Sequence, residues 1–175
     1  MMASPITIRR AQLVGPIERL VCGGCCACCC PRSDWPAIVR IHRDAFEKAH
    51  RPLLGQNAVP WFDPGGLCWV ADHAEHGVVG FAFLEFEPDE HDPTPTHGQP
   101  LLDDLFVDPA FQRLGLGRRL IAAAEDHARA CGSEHLVLGC LELDVAARAF
   151  YTKTGWSADD KTWEAPDGHR HLSGQ

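Results

Sequence analysis

The run Leu105-Phe106-Val107-Asp108-Pro109-Ala110-Phe111-Gln112-Arg113-Leu114-Gly115-Leu116-Gly117-Arg118-Arg119 holds the residues whose types and spacing point most directly to chemistry. It reads as a strand that stops at Asp-Pro, a turn built on Gln-x-x-Gly-x-Gly, and a helix with arginines in its first turn. A helix start carries unpaired backbone N–H groups and the positive end of the peptide dipoles, so it seats phosphate. Gly115 and Gly117 let the main chain approach a ligand with no Cβ in the way. Arg113, Arg118 and Arg119 concentrate positive charge in a chain of formal net charge −8, which implies an anion there. The plainer reading is a tight turn and a solvated helix face. The strand before it and the amphipathic helix after it favour the anion site.

With this block the chain resembles the GNAT superfamily of acyl-CoA-dependent N-acyltransferases, whose signature Arg/Gln-x-x-Gly-x-Gly/Ala is matched by Gln112 to Gly117. A second block, Ala147-Arg148-Ala149-Phe150-Tyr151-Thr152-Lys153-Thr154-Gly155-Trp156, is similar to the family's late helix, where an aromatic-Tyr pair precedes a Gly-aromatic step. The resemblance covers roughly Ile6 to Arg10 and Asp34 to Trp163. It implies transfer of an acetyl group from acetyl-CoA to a primary amine of a small molecule or protein, without a covalent enzyme intermediate and with no metal.

Site roles follow from the same resemblance. The amides of Arg113, Leu114, Gly115, Leu116, Gly117 and Arg118, entered through Gln112, hold the pyrophosphate. The pantetheine arm pairs with the backbone of Leu105, Phe106 and Val107, and the N–H of Phe106 or Val107 polarises the thioester oxygen. Tyr151, the single tyrosine, is the general acid. The proton of the amine goes to Asp104 or Asp103, with Glu85, Glu87 and water as rivals. Strand alternation puts the two aspartates on opposite faces, and a β-bulge decides which one enters the cleft. Without the resemblance, Leu105 to Val107 are core strand, Tyr151 is half-buried packing and the aspartates are solvated. Asp144 stands where the family often has Asn. It caps a helix equally well but is a poorer neighbour for an anionic cofactor.

Composition sets the frame. A chain of 175 residues, 45% hydrophobic and 23% charged, suits one globular domain. Its acidic balance disfavours nonspecific nucleic-acid binding. With neither an apolar run long enough to span a bilayer nor a signal-peptide pattern, the expected location is cytoplasmic, with no membrane partner. Six of nine cysteines crowd into Cys22 to Cys30. A thiolate metal site can be drawn from them, but no second ligand pair accompanies it, so a low-complexity insertion over about 12–32 is the preferred reading.

Ile6 to Arg10 alternates as a strand. Ser33 or Asp34 caps a helix with Pro36 in its first turn and an inward stripe of Ile38, Ile41, Ala45 and Ala49. Arg51 to Gly66, with Trp61 and Phe62, is irregular or a short helix. Leu67 to Ala71 and Gly77 to Glu87 form a hairpin, Pro88 to Pro100 a mobile loop, and Leu101 to Val107 the fourth strand. A helix from about Gly115 to Cys131 turns Leu116, Leu120, Ala124, His127 and Cys131 inward. His135 to Cys140, Val145 to Thr154, Trp156 to Trp163 and Gly168 to Leu172 complete the order. The fold class is mixed α/β (α+β), a largely antiparallel sheet flanked by helices. His42 reads as a solvated helix residue and His127 as a partly packed one. Two other functions stay in view: a non-catalytic acyl-CoA-binding module and a thiol-rich metal-binding protein. Whether the chain is a homodimer is open.

Overall fold

Short β-branched and aromatic runs alternate with segments bearing helix caps, and the computed structural model shows what they build. It describes residues 5–12, 33–49, 66–86, 99–164 and 170–174. The strands are β1 (Ile6–Arg10), β2 (Leu67–His73), β3 (Gly77–Glu85), β4 (Leu101–Val107), β5 (Val137–Leu141), β6 (Ala158–Glu164) and β7 (Arg170–Gly174). The helices are α1 (Trp35–Ala49), α2 (Leu116–Ala130) and α3 (Val145–Thr154). The strands form one sheet in the order β1-β2-β3-β4-β5-β7-β6, antiparallel throughout except for β4 and β5.

Alternation along the strands gives the sheet two apolar faces. On one, Trp69, Ala71, Val79, Leu84, Leu102 and Leu138 pack under α2, with Phe150 and Tyr151 of α3 against the same core. On the other, Cys68, Val70, Val78, Phe81 and Phe83 pack under Ile38 and Ile41 of α1. Ala45 is also buried as the stripe predicts; the side chain of Ala49 lies outside the described residues. The start of α1 is pinned by the Asp34 carboxylate, which accepts from Arg9 at 2.8 and 2.9 Å and from the Gln12 N–H at 2.7 Å. Arg9 also donates to Asp72 at 2.7 Å, so one guanidinium ties β1, β2 and α1 together.

The stripe of α2 differs from the expectation. Leu116, Leu120, Ile121, Ala124 and Ala128 are its buried residues, while Cys131 is exposed and His127 half-buried. The helix is turned by about 40° from the expected face, because Ile121 and Ala128 bury more favourably than a histidine and an exposed-end cysteine. The fifth strand starts at Val137 and the sixth at Ala158, each two residues later than expected; the seventh runs to Gly174. The Cys-rich segment, Trp61, Phe62 and most of the Pro88 to Pro100 loop lie outside the described residues.

Candidate active site

The junction between β4 and α2 is built from a cap, a turn and two left-handed residues. Asp108 donates its N–H to Val79 O at 2.9 Å and accepts from the Ala110 N–H at 3.0 Å, closing a 3-10 turn at Pro109–Phe111. Its other oxygen accepts from Arg40 of α1 at 2.8 Å. Partial burial pushes this carboxyl up, but the bonds from Arg40 and Ala110 outweigh burial and hold it below the usual range. Beyond the turn, Arg113 and Gly115 adopt φ of 67° and 77°. Among the described residues, no N–H from Gln112 to Arg118 donates to a backbone carbonyl, and the first that does is Arg119, to Gly115 O at 3.2 Å. A row of free main-chain donors therefore lines the helix start.

The two glycines serve different ends. A Cβ on Gly115 would meet nothing within 4 Å, so its need for glycine is conformational. A Cβ on Gly117 would sit 3.1 Å from Phe150 Cζ, so its missing side chain lets α3 pack against α2. This packing is a requirement for glycine at 117 beside the close ligand approach expected from the sequence. Nor do all three arginines serve an anion: Arg119 donates to Ile6 O at 2.6 Å and tethers α2 to β1. Arg113 and Arg118 remain exposed beside the amide row.

Next to this junction the sheet parts. The parallel ladder joins only Leu101 to Val137 and Leu102 to Leu138, and β4 runs on to Val107 without β5 beside it. The Asp108 to Val79 bond fixes the alternation of the β3–β4 ladder, making Phe106 and Phe81 a hydrogen-bonded pair. The N–H and C=O groups of Leu105 and Val107 then point away from β3, into the gap. Consistently, Val107 O accepts from Gln112 Nε2 at 3.1 Å rather than from β3. The main-chain groups of Phe106 are turned toward Phe81, so of the two donors expected from sequence only that of Val107 faces the gap, and Leu105 joins it.

The bulge falls at the aspartates. The register shift sets both Asp103 and Asp104 against Phe83. Asp103 is exposed, whereas Asp104 turns toward α1, its side chain 19% exposed and Oδ2 4.0 Å from His42 Nε2. Glu85, on the same face as Phe81 and Phe83, is buried at 5%. Burial, then the charges of Asp103 and Glu85, push the Asp104 carboxyl well above the usual range. Tyr151 of α3 is ringed by Phe150 at 5.3 Å and Trp156 at 6.0 Å. Burial, with Cys140, Asp104 and Asp144 adding to it, raises its phenol well above the ordinary value, so it is a proton donor at neutral pH. Among the described residues its hydroxyl has no hydrogen-bond partner. Asp144 caps α3 through the Ala147 N–H at 2.8 Å, as its type predicts, and Gly155 ends the helix at φ 101°.

His42, expected from the sequence to be solvated, is instead buried, 6% exposed, against Phe46 and Phe106. Its signal was available: four residues after Ile38 and one after Ile41, it lies on the inward stripe of α1. Cys68 and Cys140 are buried, and burial pushes their thiols up to about 12 and about 11, so neither supplies a thiolate nucleophile at neutral pH.

The sequence profile described as "Acetyltransferase (GNAT) family" matches residues 35–156. This chain belongs to that family. A mycothiol acetyltransferase of Nocardia farcinica is 31% identical over 71% of this chain and 42% of its own length. The chain spans less than half the length of that relative. A crystal structure of a putative GNAT acetyltransferase from Desulfovibrio desulfuricans superposes with a TM-score of 0.60, at 20% identity over 97% of both chains. A putative streptothricin acetyltransferase from Bacillus anthracis, solved in complex with acetyl coenzyme A, gives 0.53 at 21% identity over 64% of this chain and 62% of that one. The GNAT match runs from the first residue of α1 to Trp156 after α3, so the amide row, the parted strands, Asp104 and Tyr151 all fall within it. Among the described residues no three His, Cys, Asp or Glu side chains gather to hold a metal, and no helix is long and apolar enough to cross a membrane.

Proposed function

We propose that this chain transfers an acetyl group from acetyl-CoA to a primary amine of a small molecule or a protein. One observation carries the reading: β4 borders a gap with the free amides of 112–118 beyond one end and a bulged, half-buried aspartate at the other. A diphosphate suits the amide row and the exposed Arg113 and Arg118. Leu105 and Val107 offer strand-like partners to a pantetheine arm lying in the gap. An arm anchored beyond Val107 brings its thioester to Leu105, next to Asp104. The Leu105 N–H is then the donor for the thioester oxygen as negative charge develops there.

Asp104 accepts the proton that the ammonium form of the acceptor must lose, leaving a neutral amine to attack. The new N–C bond forms as the C–S bond breaks; Tyr151 gives its proton to the departing sulfur, and the second proton lost by the nitrogen as the amide forms restores the Tyr151 phenol. The buried thiols of Cys68 and Cys140 agree with direct transfer. The acceptor side, lined by Asp104, Glu85 and α1, suits a cationic amine. The relatives named above for mycothiol and streptothricin make small-molecule amines the first class to test. A cytoplasmic location belongs to the same reading, and a homodimer is left to measurement.

The test is thiol release from acetyl-CoA over a panel of small amines, antibiotics and peptides, alongside CoA binding by calorimetry. Amine-dependent release supports the reading. Tight CoA binding with no release for any amine would instead make the chain a non-catalytic acyl-CoA-binding module. Metal content of protein purified without added metal tests the Cys22 to Cys30 segment separately.

A further inference from the structure

The acetyl-transfer chemistry leaves one buried polar side chain on the acceptor face without a task. His42 is 6% exposed, its ring stacked on Phe46 at 5.7 Å and edge-on to Phe106 at 4.9 Å. Those two rings come from α1 and β4, so the imidazole plane is set by packing on both sides. The ring's Nε2 lies 4.0 Å from Asp104 Oδ2. Among the described residues, the other titratable groups around Asp104 are Asp103 of its own strand, Glu85 of β3, Cys68 of β2 and Tyr151 of α3. Of these five neighbours only His42 can carry positive charge. Asp104 must be ionised to accept a proton, yet burial and two nearby carboxylates oppose its ionisation.

We propose that His42 is a positioning residue for Asp104. Its imidazolium, aimed by Phe46 and Phe106, keeps that carboxylate ionised and directed at the acceptor amine. The inference rests on the acetyl-transfer reading for its catalytic consequence, but the His42–Asp104 pairing stands on geometry alone. It can therefore be measured without turnover.

Two arms test it on the full chain. In the first, the His42 ring is titrated by NMR in the native protein and in Asp104→Asn, with CoA affinity confirming that both are folded. Loss of the carboxylate partner is expected to lower the His42 pKa by roughly one unit. An unchanged pKa would overturn the pairing. In the second arm, His42→Phe and His42→Gln are compared by the pH profile of kcat/KM. Without the imidazolium Asp104 ionises at higher pH, so the acid limb should move up by roughly one unit, with the KM for acetyl-CoA within about twofold. Gln, which can hydrogen-bond but not carry charge, should fail to restore it. A uniform loss at every pH, or full rescue by Gln, would show a merely structural role. If no amine is acetylated, the transfer reading has failed and the NMR arm still decides this one.

Discussion

Tyr151→Phe tests the proposed proton donor because it removes one oxygen and leaves the packing intact. The ring contacts with Phe150 and Trp156, at 5.3 and 6.0 Å, involve the aromatic faces that Phe retains. Among the described residues the hydroxyl has no hydrogen-bond partner, so its loss leaves no orphaned group, and stability should change by less than about 0.5 kcal/mol. A positioned general acid contributes about 10²- to 10⁴-fold. The departing thiolate is a fairly good leaving group, its parent thiol titrating near 8.5, so the lower end applies. A fall of about 100-fold in kcat, close to 2.7 kcal/mol of barrier, is expected. The Kd for CoA should stay within about twofold. Single-turnover thiol release in a stopped-flow instrument separates chemistry from product release, and calorimetry gives the Kd. Because burial raises the phenol above its ordinary value, the native enzyme should show no loss of activity from Tyr151 ionisation up to about pH 10. A Phe variant within threefold of native in the chemical step would refute the donor role. An equal loss of CoA affinity would mean the residue acts through packing.

Asp104→Asn should lower kcat by at least about 100-fold while Glu85→Gln lowers it less than about tenfold, measured with saturating acetyl-CoA; the reverse order would make Glu85 the base. Gly117→Val forces side-chain atoms into Phe150, already 3.1 Å from an added Cβ, and should cost about 1–3 kcal/mol. That is a fall of roughly 3–10 °C in Tm, whereas Gly115→Asn, open to space and compatible with φ 77°, should fall by less than about 3 °C. At Asp34 burial pushes the carboxyl up, but Arg9 and the Gln12 N–H outweigh it and hold it below the usual range. The stability this supplies is complete above the ordinary carboxyl range near pH 4 and drains away as pH falls through the lower folded value. Urea midpoints from pH 6 downward should therefore drop more steeply for the native chain than for Asp34→Asn, and parallel curves would remove Asp34 as a source of acid sensitivity.

What was legible in the sequence follows from how local each signal is. α3 begins and ends where expected because Asp144 and Gly155 are caps whose chemistry acts within one turn. β4 matched its expected span because prolines flank it at 100 and 109. The rotation of α2 was less legible, since which of two overlapping stripes turns inward depends on the sheet it meets. The side taken by Asp103 and Asp104 is not legible in their own strand, because a bulge is a property of two strands in register. The same holds for the direction of the Leu105 and Val107 main-chain groups, which one bond from Asp108 to Val79 determines. The burial of His42 follows from its position on the inward stripe of α1, which outweighs its polarity. Asp104, Glu85 and His42, far apart in sequence, share one face of the sheet only through the packing of α1 on β3 and β4.

A crystal structure of the chain with bound CoA decides whether the gap beside β4 holds the cofactor. The diphosphate is expected within about 3.2 Å of main-chain nitrogens between 113 and 118, and the pantetheine amides bonded to Leu105 and Val107, leaving the sulfur beside Asp104 and Tyr151. A diphosphate seated elsewhere, or an arm that avoids the gap between β4 and β5, would contradict that placement.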